Sequence, residues 1–419
     1  MKKNIQSSIL VAVDMGSQTF RAMAGEIDST GLLRVLGVEE SSQKCCVHHG
    51  VIENTGDAGY MLTSIIKLLG NRIGRELSGP VFVCVGGKTL QVVSLCSKRD
   101  WGRKRLIDAE VLVNMETECY DKVKNNYPGW VVLDLIPSHY VLDDKEQDDE
   151  PKPNQTAVLF DAYFNAFVGK EELKEKVKKT FDQTSSLCLE KMYTRPEALV
   201  NALANDDMEE GCAVLDLGAQ TSTLTIHKAG EYLHNEVLPR GGLDITKAIK
   251  QLGVSLSQAE RLKCLGGVAS ATMVKANRQY SITSVDGDKV VISSLQLANI
   301  ISACLDDMLA PLMEILNKEA DRLKVLYVTG AGAMLKGVAE YIQSKTSVKV
   351  MYGSHASWLT TDTPNHYCLP QYASLVGTLL LGAEWRKSHV PVPNYHKNKP
   401  IIEIIKEKTL ELFMDTNKV

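Results

Sequence analysis

Two stretches of the chain carry the same string of residue types: VAVDMGSQTF from Val11 and AVLDLGAQTS from Ala213. Each ends an apolar run on an aspartate and follows it with a glycine, a small residue, a glutamine and a threonine. These are Asp14, Gly16, Ser17, Gln18 and Thr19 in the first stretch, and Asp216, Gly218, Ala219, Gln220 and Thr221 in the second. A turn glycine lacks a Cβ, so backbone N–H groups beside it can close on a phosphate. The aspartate would repel that phosphate, and a divalent cation, Mg²⁺, is expected between them on Asp14 and Asp216, directly or through water. A single D-x-G is usually no more than a hairpin turn. Two copies in matching strand contexts argue for a paired phosphate site.

A third glycine-rich turn lies in VLYVTGAGAMLKGVAEYI from Val325, where an apolar strand runs into Thr329, Gly330, Ala331 and Gly332. A helix is expected to follow directly, with its N-terminal amides and dipole facing a ligand. Earlier, PRGGLDITKAI places Gly241, Gly242 and Asp244 between a strand and a helix, a further turn on the phosphate side. Glu260 and Lys263 of AERLK share one helical face. Spacing alone favours a surface ion pair for them.

The elements that must hold these turns repeat as well. After Thr19 come FRAMAGEID, a break at Ser29–Gly31 and LLRVLGVEE; after Thr221 come STLTIHKAG, a break at Ala229–Gly230 and EYLHNEVLP. Alternating apolar residues around turn formers predict three-stranded meanders. MLTSIIKLLGNRIG follows the first, and DITKAIKQLG with SQAERLKCLG the second, each with helical apolar spacing. A duplicated meander followed by helices predicts two related α/β domains facing each other.

At 419 residues the chain is too long for one compact core. A net charge of −4 gives no electrostatic footprint for nucleic acid. The opening MKKNIQSSILVAVD fails as a signal peptide because Asp14 cuts a short apolar run. ASLVGTLLLGA from Ala373 is about half the ~20 residues that cross a bilayer. The ten cysteines form no C-x-x-C pair and read as reduced core thiols of a cytoplasmic protein, with zinc and disulfides disfavoured.

The order of these turns resembles the superfamily of actin, heat-shock chaperones and sugar kinases, and within it the bacterial cell-division family FtsA. The resemblance runs from about Ile9 to Trp385 and is clearest over Cys212–Lys263 and Val325–Val338. It implies an α/β, two-lobed actin-like ATPase fold of duplicated RNase H-like domains, with an inserted subdomain in the first half. It makes Asp14–Thr19 and Asp216–Thr221 the phosphate loops and Gly330–Met334 (Gly330, Ala331, Gly332, Met334) the adenosine loop. Glu260 and Lys263 become ribose and base contacts, with ATP and Mg²⁺ in the cleft. The implied layout is a first subdomain over 1–87, an insert over 88–183, a second-half domain over 184–243 and 325–385, and a small subdomain over 244–324. A linker over 386–400 and a terminal helix over 401–419 complete it. The insert holds WVVLDLIPSHYVLDD, the acidic KEQDDEPKP and TAVLFDAYFNAFVGKEELKEKVKKTF, the last expected as strand and helix.

Two departures from the family pattern bear on chemistry. Ala219, Gln220 and Thr223 replace two glycines and a second acid of the usual second loop. Arg195 stands where ATP-hydrolysing relatives place an acid or amide that orients water, with Glu197 just after Pro196. Slow or absent hydrolysis is expected, with nucleotide as a structural ligand that closes the cleft and favours polymerisation.

After RKSHVPVPNYHKNKP, the segment IIEIIKEKTLELFMD places Ile401, Ile402, Ile404, Ile405, Leu412 and Phe413 on one helical face. An amphipathic helix on a tether suits a peripheral membrane anchor, and docking on a partner has the same pattern. The resemblance implies the anchor. It also implies self-assembly into protofilaments on the cytoplasmic face of the inner membrane at the division site. Its partners would be the C-terminal peptide of the tubulin-like FtsZ, docked on about Asp244–Lys324, and other division proteins. PilM, a component of type IV pilus machines, is the alternative within the superfamily, and an ATP-using kinase or phosphatase the alternative outside scaffolding.

Overall fold

The computed structural model describes residues 9–41, 46–152, 154–203, 210–285 and 287–389. The expected terminal helix, with Ile401, Ile402, Ile404, Ile405, Leu412 and Phe413, lies outside the described residues, as does most of the linker. Residues 386–389, expected as linker, continue a helix that runs from Ala373 to His389. Nothing in RKSH breaks a helix, so the element ends later than the change in composition implied.

One unit comprises Met1–Gln91 with Glu172–Gly382. Its first half opens with β1 (Leu10–Met15), β2 (Phe20–Ile27) and β3 (Leu33–Glu40), then a short hairpin, β4 (Val47–His48) and β5 (Val51–Ile52). Helix α1 (Thr55–Ile73) and β6 (Gly79–Val85) come next. Asn54 caps α1 by accepting from the N–H groups of Gly56 and Asp57, and Gly74 closes it in the left-handed conformation.

The chain then forms a second unit that includes Val92–Glu171. Here β7 (Leu90–Leu106), α2 (Ala109–Asn126), β8 (Trp130–Leu142), β9 (Lys145–Gln147) and β10 (Thr156–Lys170) give a sheet of order β7-β10-β8-β9. Asp108 caps α2, which buries Val111, Leu112, Met115, Cys119 and Val123 at helical spacing. Their core partners include Tyr140, Phe160 and Phe164. The insert expected over 88–183 is thus a compact unit with narrower limits. Helix α3 (Glu171–Asp182) packs instead on α1, where a Cβ on Gly59 would sit 2.9 Å from the Thr180 carbonyl oxygen.

The first unit resumes with β11 (Leu187–Thr194) and α4 (Arg195–Leu203), then β12 (Cys212–Leu217), β13 (Ser222–Lys228) and β14 (Glu231–Leu238). Helices α5 (Gly242–Lys250), α6 (Leu256–Gly266) and α7 (Ser294–Lys318) follow, with a hairpin of β15 (Gln279–Thr283) and β16 (Lys289–Ser293) inside that run. The chain closes with β17 (Val325–Thr329), α8 (Val338–Gln343), β18 (Lys349–Tyr352) and α9 (Ala373–His389).

Two five-stranded sheets result, ordered β3-β2-β1-β6-β11 and β14-β13-β12-β17-β18. In both, the aspartate-bearing strand pairs antiparallel with the next strand and parallel with one reached through helices. The duplication is therefore structural as well as sequential. β1 and β12 are buried at every position, Asp14 and Asp216 included. A central strand covered on both faces needs a continuous apolar run, which is why these two read less as alternation than their neighbours do. The second sheet packs on α7 through Leu297, Ile301, Leu305, Leu309, Leu312 and Leu316.

Candidate functional site

The ends of β1 and β12 open onto one cavity of about 430 Å³, between the two sheets of the first unit. That is within the roughly 300–1,000 Å³ usual for small-molecule sites. Both D-x-G turns reach it in the same conformation. A Cβ on Gly16 would meet the Thr19 carbonyl oxygen at 2.7 Å, and one on Gly218 the Thr221 carbonyl oxygen at 2.8 Å. Each glycine is required because the threonine carbonyl folds back over it.

Of the residues expected at the site, Asp14, Gly16, Ser17, Gln18 and Thr19 line the cavity from one side. Asp216, Gly218, Ala219, Thr221, Gly242, Glu260, Lys263, Gly330, Ala331, Gly332 and Met334 line it from the other. Three expected residues do not line it, and each has a structural task. Gln220 turns away, and its Oε1 accepts from the N–H of His49 at 2.8 Å while its carbonyl lies 2.9 Å from the His49 ring. This ties the second turn to the β4–β5 hairpin of the first half and grips a residue whose φ is 48°. Gly241 packs against the Gly218 and Ala219 carbonyls. Asp244 accepts from the Gly241 N–H at 2.8 Å, which caps α5.

The third turn is shaped differently from expectation. Residues Ala331–Met334 make a 3-10 turn, and α8 begins only at Val338, after Gly337 in the left-handed region. No helix N-terminus springs directly from Gly332. Gly330 has φ 82°, and a Cβ there would meet Asp216 Oδ1 at 2.3 Å, so the turn lies hard against the aspartate.

Glu260 and Lys263 are a cavity-wall pair rather than a solvated one. Their ion pair is 2.8 Å long, with 29% and 14% of the side chains exposed. Lys263 Nζ also donates to the Gly242 carbonyl and to Thr246, both at 2.9 Å, and Thr246 donates to Glu260. Burial would raise the Glu260 carboxyl, but Lys263 and these donors outweigh it and hold the group below its ordinary value.

The centre of the site holds a cation of the protein's own. Arg195, first residue of α4, reaches between the aspartates and donates through Nη2 to Asp14 Oδ1 at 2.5 Å and through Nη1 to Asp216 Oδ2 at 3.3 Å. Asp14 Oδ2 accepts from Ser374 at 3.0 Å. Burial works against the guanidinium charge, yet the two carboxylates overcome it and push its pKa up. Burial raises Asp216, with Arg195 opposing. Both Asp14 oxygens and one of Asp216 are committed, and a cation already lies between them. The pair does not fit a directly bound metal ion, and no cluster of three or more metal-ligating side chains occurs among the described residues.

Glu197 does not line the cavity either. Its Oε2 accepts from the Thr194 N–H at 3.1 Å, across the start of α4. Among the described residues, each carboxylate that does line it, Asp14, Asp216 and Glu260, is already bonded to a cation.

Sequence reasoning missed Arg21, Gly50, Gly86, Lys336, Gln371 and Ser374, all on the cavity wall. Gly86 had a legible signal, since VFVCVGG is a strand running into a glycine turn like the others. Cys84 in that strand is fully buried beside Asp14, and burial followed by the Asp14 charge pushes its thiol pKa up. It is a core thiol, as expected. Ser374 and Gln371 carry no signal, because only the return of the chain into α9 brings Ser374 to Asp14 of β1 and Gln371 to Glu40 of β3.

A model of the cell division protein FtsA family matches residues 213–377. Proteins named cell division protein FtsA are similar over more of the chain. That of Porphyromonas gingivalis is 24% identical over 338 residues, 79% of this chain and 68% of its own. That of Escherichia coli K12 is 21% identical over 404 residues, 92% of each chain. Among solved structures, a chain of the PilM-PilN type IV pilus biogenesis complex superposes with a TM-score of 0.63 at 14% identity, covering 89% of this chain and 98% of that one. MreB5 of Spiroplasma citri bound to ADP gives a TM-score of 0.51 at 13% identity, covering 91% and 98%. The fold is the two-lobed, actin-like one, and the sequence resembles the FtsA cell-division family over most of its length.

Proposed function

We propose that this chain is a nucleotide-binding, actin-like division scaffold that assembles into protofilaments and holds the FtsZ ring at the cytoplasmic face of the membrane. The observation that carries the reading is similarity to FtsA proteins along nearly the whole chain, joined to a cavity built from both halves. ATP would lie with its phosphates on the backbone N–H groups of residues 16–19 and 218–221. Its adenosine would lie between residues 330–334 and the Glu260–Lys263 pair. The ligand draws the two halves onto one body and so biases them towards a single closed arrangement. Among the described residues every carboxylate on the cavity wall already bonds a cation, so this use is conformational, with hydrolysis slow or absent.

Anchoring rests on the apolar stripe at residues 401–413. From Lys399 onwards four lysines oppose four acids, so attraction to anionic lipid is weak and binding depends on apolar insertion. Many such segments on one filament would supply the avidity that one lacks. No helix among the described residues is long and apolar enough to cross a membrane.

Liposome co-sedimentation with ATP tests the reading, comparing the full chain with one ending at Pro400. Pelleting of the full chain alone, with both forms binding nucleotide, is the expected result. If both remain in the supernatant under polymerising conditions, the pilus-type reading, favoured by the structural likeness to a PilM-PilN complex chain, takes its place.

A further inference from the structure

The geometry points to Arg195 as a built-in cation that replaces a divalent metal, so that this cleft takes a nucleoside triphosphate without magnesium. The inference rests on the nucleotide reading above and specifies the form in which the ligand binds.

A divalent ion in a phosphate cleft does two things: it neutralises strand-end carboxylates that would repel the ligand, and it fixes the phosphates in place. Arg195 already does the first. Its two Nη groups each take one carboxylate, from opposite halves of the unit, with 17% of its side chain exposed against 3% and 5% for the aspartates. A guanidinium fork suits this task because it is permanently charged and donates in two directions at once. Its Nε is buried and has no hydrogen-bond partner among the described residues. That atom lies against Gly86 of the cavity wall, where a Cβ would come within 2.7 Å of it. The arginine therefore fills the gap between the loops only because residue 86 has no side chain.

Adding a dication to this arrangement would set it against a guanidinium already bonded to both carboxylates. Thr223, opposite Asp216 in the strand pair, offers no second carboxylate to help hold one. The second role, fixing the phosphates, falls to the backbone amides of the twin turns, with Arg195 behind them.

The test is calorimetric titration of the full-length chain with ATP, once in excess magnesium chloride and once in excess EDTA. Binding in both conditions, with Kd differing by less than about tenfold, is the expected result. A loss of about tenfold or more on chelation overturns the inference while leaving the nucleotide reading intact. Absence of binding in both conditions overturns the nucleotide reading and this inference with it. Arg195→Gln adds a second readout: with the built-in cation gone, ATP affinity should become dependent on magnesium. If this variant binds ATP equally well in EDTA and magnesium, the arginine is not the metal's substitute. If it fails to fold, the titration of the unaltered chain still decides.

Discussion

The two D-x-G turns share a backbone and differ in what their side chains do. In the first, Asp14 engages Arg195 and Ser374 and stands opposite Arg21 in the strand pair, while Gln18 is exposed. In the second, Asp216 engages Arg195 alone among these partners and stands opposite Thr223, while Gln220 reaches across to His49. Duplication supplied two equivalent loops, and divergence of the flanking residues gave one an exposed, cavity-lining glutamine and the other a structural one. A residue type repeated at the same motif position need not keep its role, because the role depends on what the opposite half places within reach.

Arg195 is where the two turns meet, and Arg195→Ala should break the comparison most severely. It leaves two buried carboxylates without their cation, and breaking such a pair typically costs about 3–5 kcal/mol. Urea unfolding of the variant should show a loss of that order. A loss under about 1 kcal/mol would mean that water replaces the guanidinium and the network is not structural.

Gly16→Ala and Gly218→Ala come next. Each forces a Cβ against the carbonyl of the threonine three residues on, at almost the same distance. Overpacking of this kind costs about 1–3 kcal/mol. The same unfolding assay should give equal losses for the two, and a large inequality would show that one loop relaxes and the other does not.

The glutamines should separate. Gln220→Ala removes an acceptor from the His49 N–H and is expected to cost about 1 kcal/mol, whereas Gln18→Ala should fall within about ±0.5 kcal/mol. Equal effects would remove the distinction drawn between the turns.

The smallest effect concerns pH. Glu260 is held below its ordinary value, so the stability it contributes is present above the unfolded carboxylate range and is lost as pH falls through the folded value. Glu260→Gln should therefore lose less stability than the unaltered chain between neutral pH and the acid range, as measured by thermal unfolding across pH. Parallel curves would place the pair's worth elsewhere.

The sequence by itself determined the duplicated architecture and the glycine turns that reach the cavity. Glycine and aspartate in a turn are constrained locally, by φ, by the room a Cβ needs and by a strand end, so Asp14, Gly16, Asp216, Gly218 and Gly330 were legible without knowing their neighbours. The meanders and helices were legible for the same reason, since period and capping act over a few residues. Tertiary structure alone decided what the charged side chains do. Arg195 looked like a missing water-orienting group, and only the approach of β1, β12 and α4 made it the ion between two carboxylates. Glu260 and Lys263 looked like a surface pair until the chain around Gly242 closed over them. The limits of the inserted unit also lay beyond sequence, because α3 is bound by its packing on α1. Local geometry is written in adjacent residues, whereas the partner of a charge is set by whichever segment folding brings within a few ångströms.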